Sequence, residues 1–361
     1  MTAAKTTYRP MKWMLCILLS FVSLSISVPT SSAQEVRRVR NGIILVDTGR
    51  NVRAIEPFKG NYDNGTAYAA IVNKYKRTFP DVNVYCMVIP NAVAFYCPDT
   101  AKTWTEAEQP AIRHILSQLS ADVKAVDILD TLQTHVEEPI YSRTDHHWAP
   151  LGAYYAARRF AEVAAVPFAD LSEYEPRVIH DYVGSMFTFS RDKAVKNAPE
   201  DFVYYVPRTD FSASRITYRK MSQRVGRKRK RRTISWLTAS EPEPFTFFRD
   251  YEDGSSAAYC TFMGGDTNTT SVVTHFQNGR RLLILKDSYG NALPSNLFSS
   301  FEEIHVVDCR YFLQNMVDFV KDHAITDILF ANNLIHASAA KTTQAYERYL
   351  TQNPATRHEI Q

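Results

Sequence analysis

Between residues 281 and 350 the chain alternates short apolar runs with longer amphipathic stretches, and that alternation narrows the architectures open to it. Residues 282–285, 304–307 and 326–330 read as strands, and residues 291–300, 311–321 and 337–350 read as helices. Strands separated by single helices are joined by crossovers, so they lie parallel in one sheet with helices on both faces. The same pattern recurs nearer the amino end. Residues 42–46, 82–89 and 125–129 read as strands, and residues 68–79, 105–119 and 150–163 as helices, the last opened by Pro150 and Gly152. Residues 170–280 are less regular. Short β-like pieces at 202–206 and 245–248 alternate there with charged stretches, which is the expectation for an irregular β-rich insertion on one α/β domain spanning 34–361.

Ligands and chemistry in a parallel sheet gather at the carboxyl ends of its strands. Ser288, Asp308, Arg310, Asn332 and Asn333 all lie just past such ends. Ser288 sits in the turn Lys286-Asp287-Ser288-Tyr289-Gly290-Asn291, where glycine permits a tight bend that exposes the hydroxyl. A serine hydroxyl becomes a useful nucleophile only when a base takes its proton. The segment Tyr141-Ser142-Arg143-Thr144-Asp145-His146-His147-Trp148 supplies one, in the loop that leads into the helix at Pro150. In an extended loop residues i and i+2 project to the same side. Asp145 can then orient His147, with His146 turned toward the fold and Trp148 packed. Ser288 is the candidate nucleophile, His147 the base and Asp145 the orienting acid. Candidate oxyanion or substrate contacts are Tyr289 through its backbone N–H, Arg310, Asn332 and Asn333.

Other uses of these residues stay open. Ser288 is a residue type that caps helices, Arg310 can pair with Asp308, and the asparagines can cap the last helix. Gly264-Gly265-Asp266 reads as a β-turn. Asp145, His146 and His147 with Asp308 are also a donor set for a metal-dependent hydrolase, and a binding or scaffold protein can be built on the same fold. The serine chemistry itself requires no metal and no organic cofactor.

The first 33 residues carry Lys5, Arg9 and Lys12, then an apolar run from Trp13 to Val28, then small residues before Gln34. This is the pattern of a secretory signal peptide, which places the protein across the inner membrane, in the periplasm or cell envelope. Cys86, Cys97, Cys260 and Cys309 remain after its removal; Cys86 and Cys309 fall in or beside strands, where a buried free thiol is the common outcome. The formal charge of +4 hides a local extreme, because residues 219–232 hold nine cations and no acid. That run suits an anionic polysaccharide, an anionic lipid surface or plain solvation. Export and the lack of interleaved aromatics argue against nucleic acid.

The Tyr141-x-x-x-Asp145-His146-His147-Trp148 segment with Gly152-Ala153 resembles the motif of the bacterial DHHW protein family. Val88-Ile89-Pro90, Lys286–Asn291 and Val306–Phe312 resemble that family's other landmarks in the same order. The family is similar to the alginate O-acetyltransferases of the AlgX/AlgJ kind, whose domain is SGNH-hydrolase-like. The resemblance implies Asp145 and His147 as their Asp-x-His pair and Ser288 as their serine. It implies transfer or hydrolysis of acetyl esters on a cell-envelope or exported polysaccharide, with a membrane protein that hands acetyl groups across as a further partner. Two departures stand out: Lys286 occupies the place of a glycine, and the basic run has no counterpart.

Overall fold

The computed structural model describes residues 35–227, 231–266 and 268–353, together with Thr2. The expected signal segment, residues 1–33, otherwise lies outside the described residues. Fourteen strands are present among those described. β1 (Val36–Arg38), β2 (Ile44–Val46) and β3 (Arg53–Ile55) form a small antiparallel meander. β4 (Asn83–Ile89) and β5 (Val123–Ala125) belong to the main sheet, and β6 (Tyr174–Tyr182) pairs only with β7 (Glu200–Pro207). There follow β8 (Phe211–Val225), β9 (Arg232–Ala239), β10 (Glu243–Pro244), β11 (Asn268–Thr274), β12 (Arg281–Lys286), β13 (Glu303–Asp308) and β14 (Asp327–Asn333).

The main sheet runs β10-β8-β11-β13-β12-β14-β4-β5, with β9 paired to β8. From β13 to β5 every pairing is parallel, while β11 and β8 add antiparallel partners beside β13. The sheet is therefore mixed rather than parallel throughout. The stretch expected as an irregular insertion supplies full strands to it. The reason is chemical: β11 reads Asn-Thr-Thr-Ser-Val-Val-Thr, which is β-branched but too polar to show as an apolar run. The cationic stretch 219–232 spans the end of β8 and the start of β9, which pair from Tyr218↔Ala239 to Val225↔Arg232.

Alternation along the central strands divides the core into two faces. Tyr85, Met87, Leu282, Ile284 and Leu329 pack toward Phe160, Ala156 and Ala157 of the helix Pro150–Ala164. Val84, Cys86, Leu283, Leu285 and Phe330 pack on the other side against the helices Tyr62–Thr78, Glu108–Ser117, Met316–Asp322 and Ala340–Tyr349. Phe330 takes edge-on contacts from Tyr75 and Tyr346 at 5.0 and 5.2 Å. Cys86 and Cys309 are buried free thiols in this second face.

Four local expectations change. Residues 291–300 form no single helix; Ser288–Ala292 and Pro294–Leu297 are separate tight turns, because Pro294 lacks the N–H an α-helix needs there. The helix expected from 311 starts at Met316, where Asn315 caps the N–H groups of Val317 and Asp318. Residues 125–129 are not a strand beyond Ala125, since Asp127 accepts the Leu129 N–H and a short helix, Leu129–Gln133, begins. Residues 245–248 contribute only a bridge, Phe248↔Phe262.

Asp327, fully buried at the start of β14, accepts from Arg280 Nε at 2.7 Å, Arg280 Nη2 at 2.5 Å and Thr326 Oγ1 at 2.6 Å. Removing the cation leaves a buried carboxylate without its charge partner. Arg280→Ala should therefore cost about 3–5 kcal/mol, read as a lower midpoint in urea unfolding; a midpoint equal to wild type would show that the pair does not anchor the sheet.

Candidate active site

The turn after β12 is built around Asp287. Its backbone is extended, at φ −107° and ψ −167°, and its buried carboxylate accepts three donors. Oδ1 takes the Tyr289 N–H at 3.0 Å, and Oδ2 takes the Asn333 N–H at 2.7 Å and Asn332 Nδ2 at 3.3 Å. One side chain thus closes the serine turn and ties it to the end of β14. Gly290 crosses directly over Lys286, and a Cβ there would collide with the lysine stem. Lys286 is itself buried. Its Nζ donates to Asp308 at 2.9 Å and lies 3.7 Å from Asp266. Burial disfavours its charge, but the two carboxylates outweigh burial and its pKa is raised. Arg310 joins the same group, bonded to Asp308 at 2.7 Å and Asp266 at 2.8 Å.

The loop before Pro150 is held from both ends. Tyr141 and Trp148 bridge each other, and Glu200 accepts the N–H groups of Arg143 and Thr144 at 2.9 and 2.7 Å. Asp145 Oδ1 accepts the His147 N–H at 3.0 Å and lies 2.6 Å from His147 Nδ1; Oδ2 accepts the Ser185 N–H at 2.7 Å. Gly184 lies against this carboxylate so closely that a Cβ would strike Asp145 and Tyr182. Burial would raise the Asp145 carboxyl, yet His147 and the surrounding donors hold it well below the ordinary carboxylate range. An ionised Asp145 accepts only, so His147 carries its proton on Nδ1 and offers Nε2 as acceptor. That Nε2 is 2.9 Å from Ser288 Oγ, across 141 residues of sequence. Tyr259 stacks flat on His147, centroids 3.8 Å apart and planes 6° from parallel.

The structure brings Asp145, His147 and Ser288 together and distributes the other candidates differently. His146 does not turn away into the fold. Residues 143–147 bend rather than extend, so the two-residue alternation fails. Its ring lies 3.8 Å from that of His147, with Nδ1 2.5 Å from Ser185 Oγ. Burial, with His147 beside it, pushes His146 down to about 3, so it is neutral. Arg310 is taken up by Asp308 and Asp266. Asn332 is buried, its Oδ1 accepting from the hydroxyls of Tyr68 and Tyr346 at 2.7 and 2.8 Å. The Tyr289 N–H expected for an oxyanion is bonded to Asp287 instead. Its carbonyl accepts from Trp148 Nε1 at 2.8 Å and the Tyr259 hydroxyl at 2.7 Å. Gly264-Gly265-Asp266 is a turn, with φ of +69° and +103° at the glycines, that carries Asp266 to Lys286 and Arg310.

Ser288 opens onto a cleft of about 170 Å³ lined by Glu56, His146, Phe189, Tyr289, Asn333, Ile335 and His336. Asn333 reaches it with its side chain committed, Nδ2 to Ile89 O and Asn91 and Oδ1 to the Ile335 N–H. Glu56, Phe189, Ile335, His336, Tyr259 and Gly184 carry no recognisable signal in the sequence. Asp145, His146 and His147 are close enough to share an ion. Asp308 is not in that group, its oxygens being engaged by Lys286 and Arg310, and both His147 nitrogens already have partners.

A family model described as DHHW protein matches residues 55–221. The structure is similar to that of a DHHW family protein from Eubacterium siraeum, at 36% identity and a TM-score of 0.75, covering 88% of this chain and 99% of that one. It is also similar to Bacillus cereus PatB1 with a sulfonyl adduct, at 16% identity and a TM-score of 0.61, covering 86% and 97%. No curated protein matches the chain. The likeness to PatB1 concerns the fold. The identity to the Eubacterium protein runs over nearly that protein's whole length, and with the Asp145-His146-His147-Trp148 segment in place this chain belongs to the DHHW family.

Proposed function

We propose that this protein is an exported serine-dependent acyl-transfer enzyme on an SGNH-hydrolase-like fold, acting on acetyl esters of a cell-envelope or exported polysaccharide. The observation that carries the proposal is the unbroken line of hydrogen bonds from Asp145 through His147 to Ser288, at 2.6 and 2.9 Å, ending at a hydroxyl on an open cleft. In this reading His147 takes the Ser288 proton as Oγ attacks the acetyl carbonyl, and gives it to the leaving oxygen. A sugar hydroxyl or water then enters along the same path and resolves the acetyl-serine. Asp145 keeps the imidazole in the useful tautomer and offsets the charge it acquires. Among the described residues the Ser288 N–H has no acceptor, so it is the backbone donor left for the oxyanion.

The acceptor class rests on the resemblance to the alginate O-acetyltransferases and on a cleft whose polar lining, Glu56, His146 and His336, suits hydroxyl groups. Export rests on the pattern of residues 1–33. In the transfer reaction a membrane protein that delivers acetyl groups is the proposed partner, because an exported enzyme has no cytoplasmic donor pool; hydrolysis by water needs none. The cationic stretch 219–232 is assigned to an anionic glycan or lipid surface.

Sulfonyl fluorides sulfonylate activated hydroxyls with loss of fluoride, and PatB1 has been seen with a sulfonyl adduct. Treating the purified protein with phenylmethylsulfonyl fluoride should add one sulfonyl group by intact mass, mapped to Ser288, with Ser288→Ala and His147→Ala unlabelled. Labelling of Ser288→Ala to the same extent would sink the assignment. With a chromogenic acetyl ester, Asp145→Asn should lower kcat/KM by about 10³–10⁴-fold, because the histidine loses its tautomer; an unchanged rate would remove Asp145 from the mechanism.

A further inference from the structure

A second cluster lies at the far end of the sheet. Glu303 and His305 are two residues apart on β13 and share a face, and His323 ends the helix Met316–Asp322. One ligand atom from each lies within 4.8 Å of the other two. Glu303 Oε2 and His305 Nε2 are 3.3 Å apart, close to the roughly 3.4 Å edge of a tetrahedron whose bonds are about 2.1 Å, the zinc distance to nitrogen or carboxylate oxygen. The His305 and His323 rings are 4.3 Å apart between centroids.

The remaining atoms of the first two residues are already held. His305 Nδ1 is 2.9 Å from Ser271 Oγ on β11, and Glu303 Oε1 accepts from Arg281 Nε at 3.3 Å. Metal ligands are oriented in this way, by a hydrogen bond to the atom that does not bind the ion. Arg281 does not leave an uncompensated cation beside the cluster, since it also pairs with Glu302 at 3.0 Å. The His323 ring makes no hydrogen bond to another described residue and is half-buried, so an ion has a way in.

We propose that Glu303, His305 and His323 form a zinc site with water in the fourth position. The ligands span β13 and the end of the helix that follows it, so binding stabilises the fold. The cluster is at the amino end of β13, whereas Ser288 follows the carboxyl end of the neighbouring parallel strand β12. The ion therefore takes no part in chemistry at Ser288.

The test is calorimetric titration of the EDTA-treated, full-length protein with Zn²⁺, with Co²⁺ absorption as a report on coordination. Wild type should bind one equivalent and melt at a higher temperature when loaded. His323→Ala should lose both effects while its metal-free melting temperature stays that of wild type. Ser271→Ala, which keeps all three ligands, should weaken binding by about 10-fold, and it serves where His323→Ala disturbs the fold. His147→Ala should bind as wild type does. The proposal fails if no stoichiometric binding occurs, if Ser271→Ala and His323→Ala bind like wild type, or if His147→Ala abolishes binding and so assigns the ion to Asp145, His146 and His147.

Discussion

Tyr289 is the residue on which segments remote in sequence are fastened together. Its carbonyl accepts the Trp148 indole N–H and the Tyr259 hydroxyl. Its own hydroxyl, a single donor, sits against two acceptors, Asn91 Oδ1 and the carbonyl of His146. The histidine loop, the turn at Tyr259 and the end of β4 are thus all referred to the residue after Ser288. Because these bonds are buried, breaking one strands a partner and costs about 1–3 kcal/mol. The 2.9 Å separation of His147 Nε2 and Ser288 Oγ is a consequence of that fastening. A free loop would have to lose conformational entropy each time it met the serine.

Beneath the serine turn the sheet carries charge in its interior. Lys286, Asp266, Asp308 and Arg310 form one group, and Asp287 stands beside it with three donors of its own. An apolar residue at Lys286 would leave Arg310 as the one cation of the group facing both Asp308 and Asp266, an incomplete charge set in a buried place. This accounts for the lysine that stands where the related pattern has glycine. It also shows why glycine is needed four residues later, where the chain passes over the lysine stem. The lysine stem and the glycine that passes over it are matched in space.

What was legible followed from short-range rules. The apolar runs at β4, β12, β13 and β14 mark the parallel strands, and their ends mark where Ser288, Asp308 and Asn333 emerge. The pairing of Asp145 with His147 was visible as a motif. β8 and β11 carry no apolar signal: β11 is built on buried threonines, and β8 on polar and charged residues that are mostly half-buried or exposed, so both are held by shape and ladder bonds rather than hydrophobicity. Tyr259 was invisible for another reason: it reaches His147 from a turn with no periodic pattern, and only the tertiary fold stacks the two rings. His146 departs from the two-residue alternation because that rule holds for extended backbone, and residues 143–147 bend.

Burial has opposite consequences for adjacent residues in this loop, and the contrast shapes the electrostatics of the cleft. Asp145 is offered three donors from His147 and Ser185, each of which favours the ionised form, so burial fails to neutralise it. His146 is offered a hydroxyl and the ring of another histidine, neither of which rewards a positive charge strongly, so burial prevails and the ring stays neutral. Glu56, at the other side of the cleft, is likewise pushed up by burial. A proton arriving at His147 therefore meets one full negative charge on its Nδ1 side and a neutral imidazole beside it. The same proton on His146 would lie 3.8 Å, not 2.6 Å, from the Asp145 oxygen. The geometry thus favours His147 over His146 as the proton carrier, and it does so by the placement of hydrogen-bond donors around a single carboxylate.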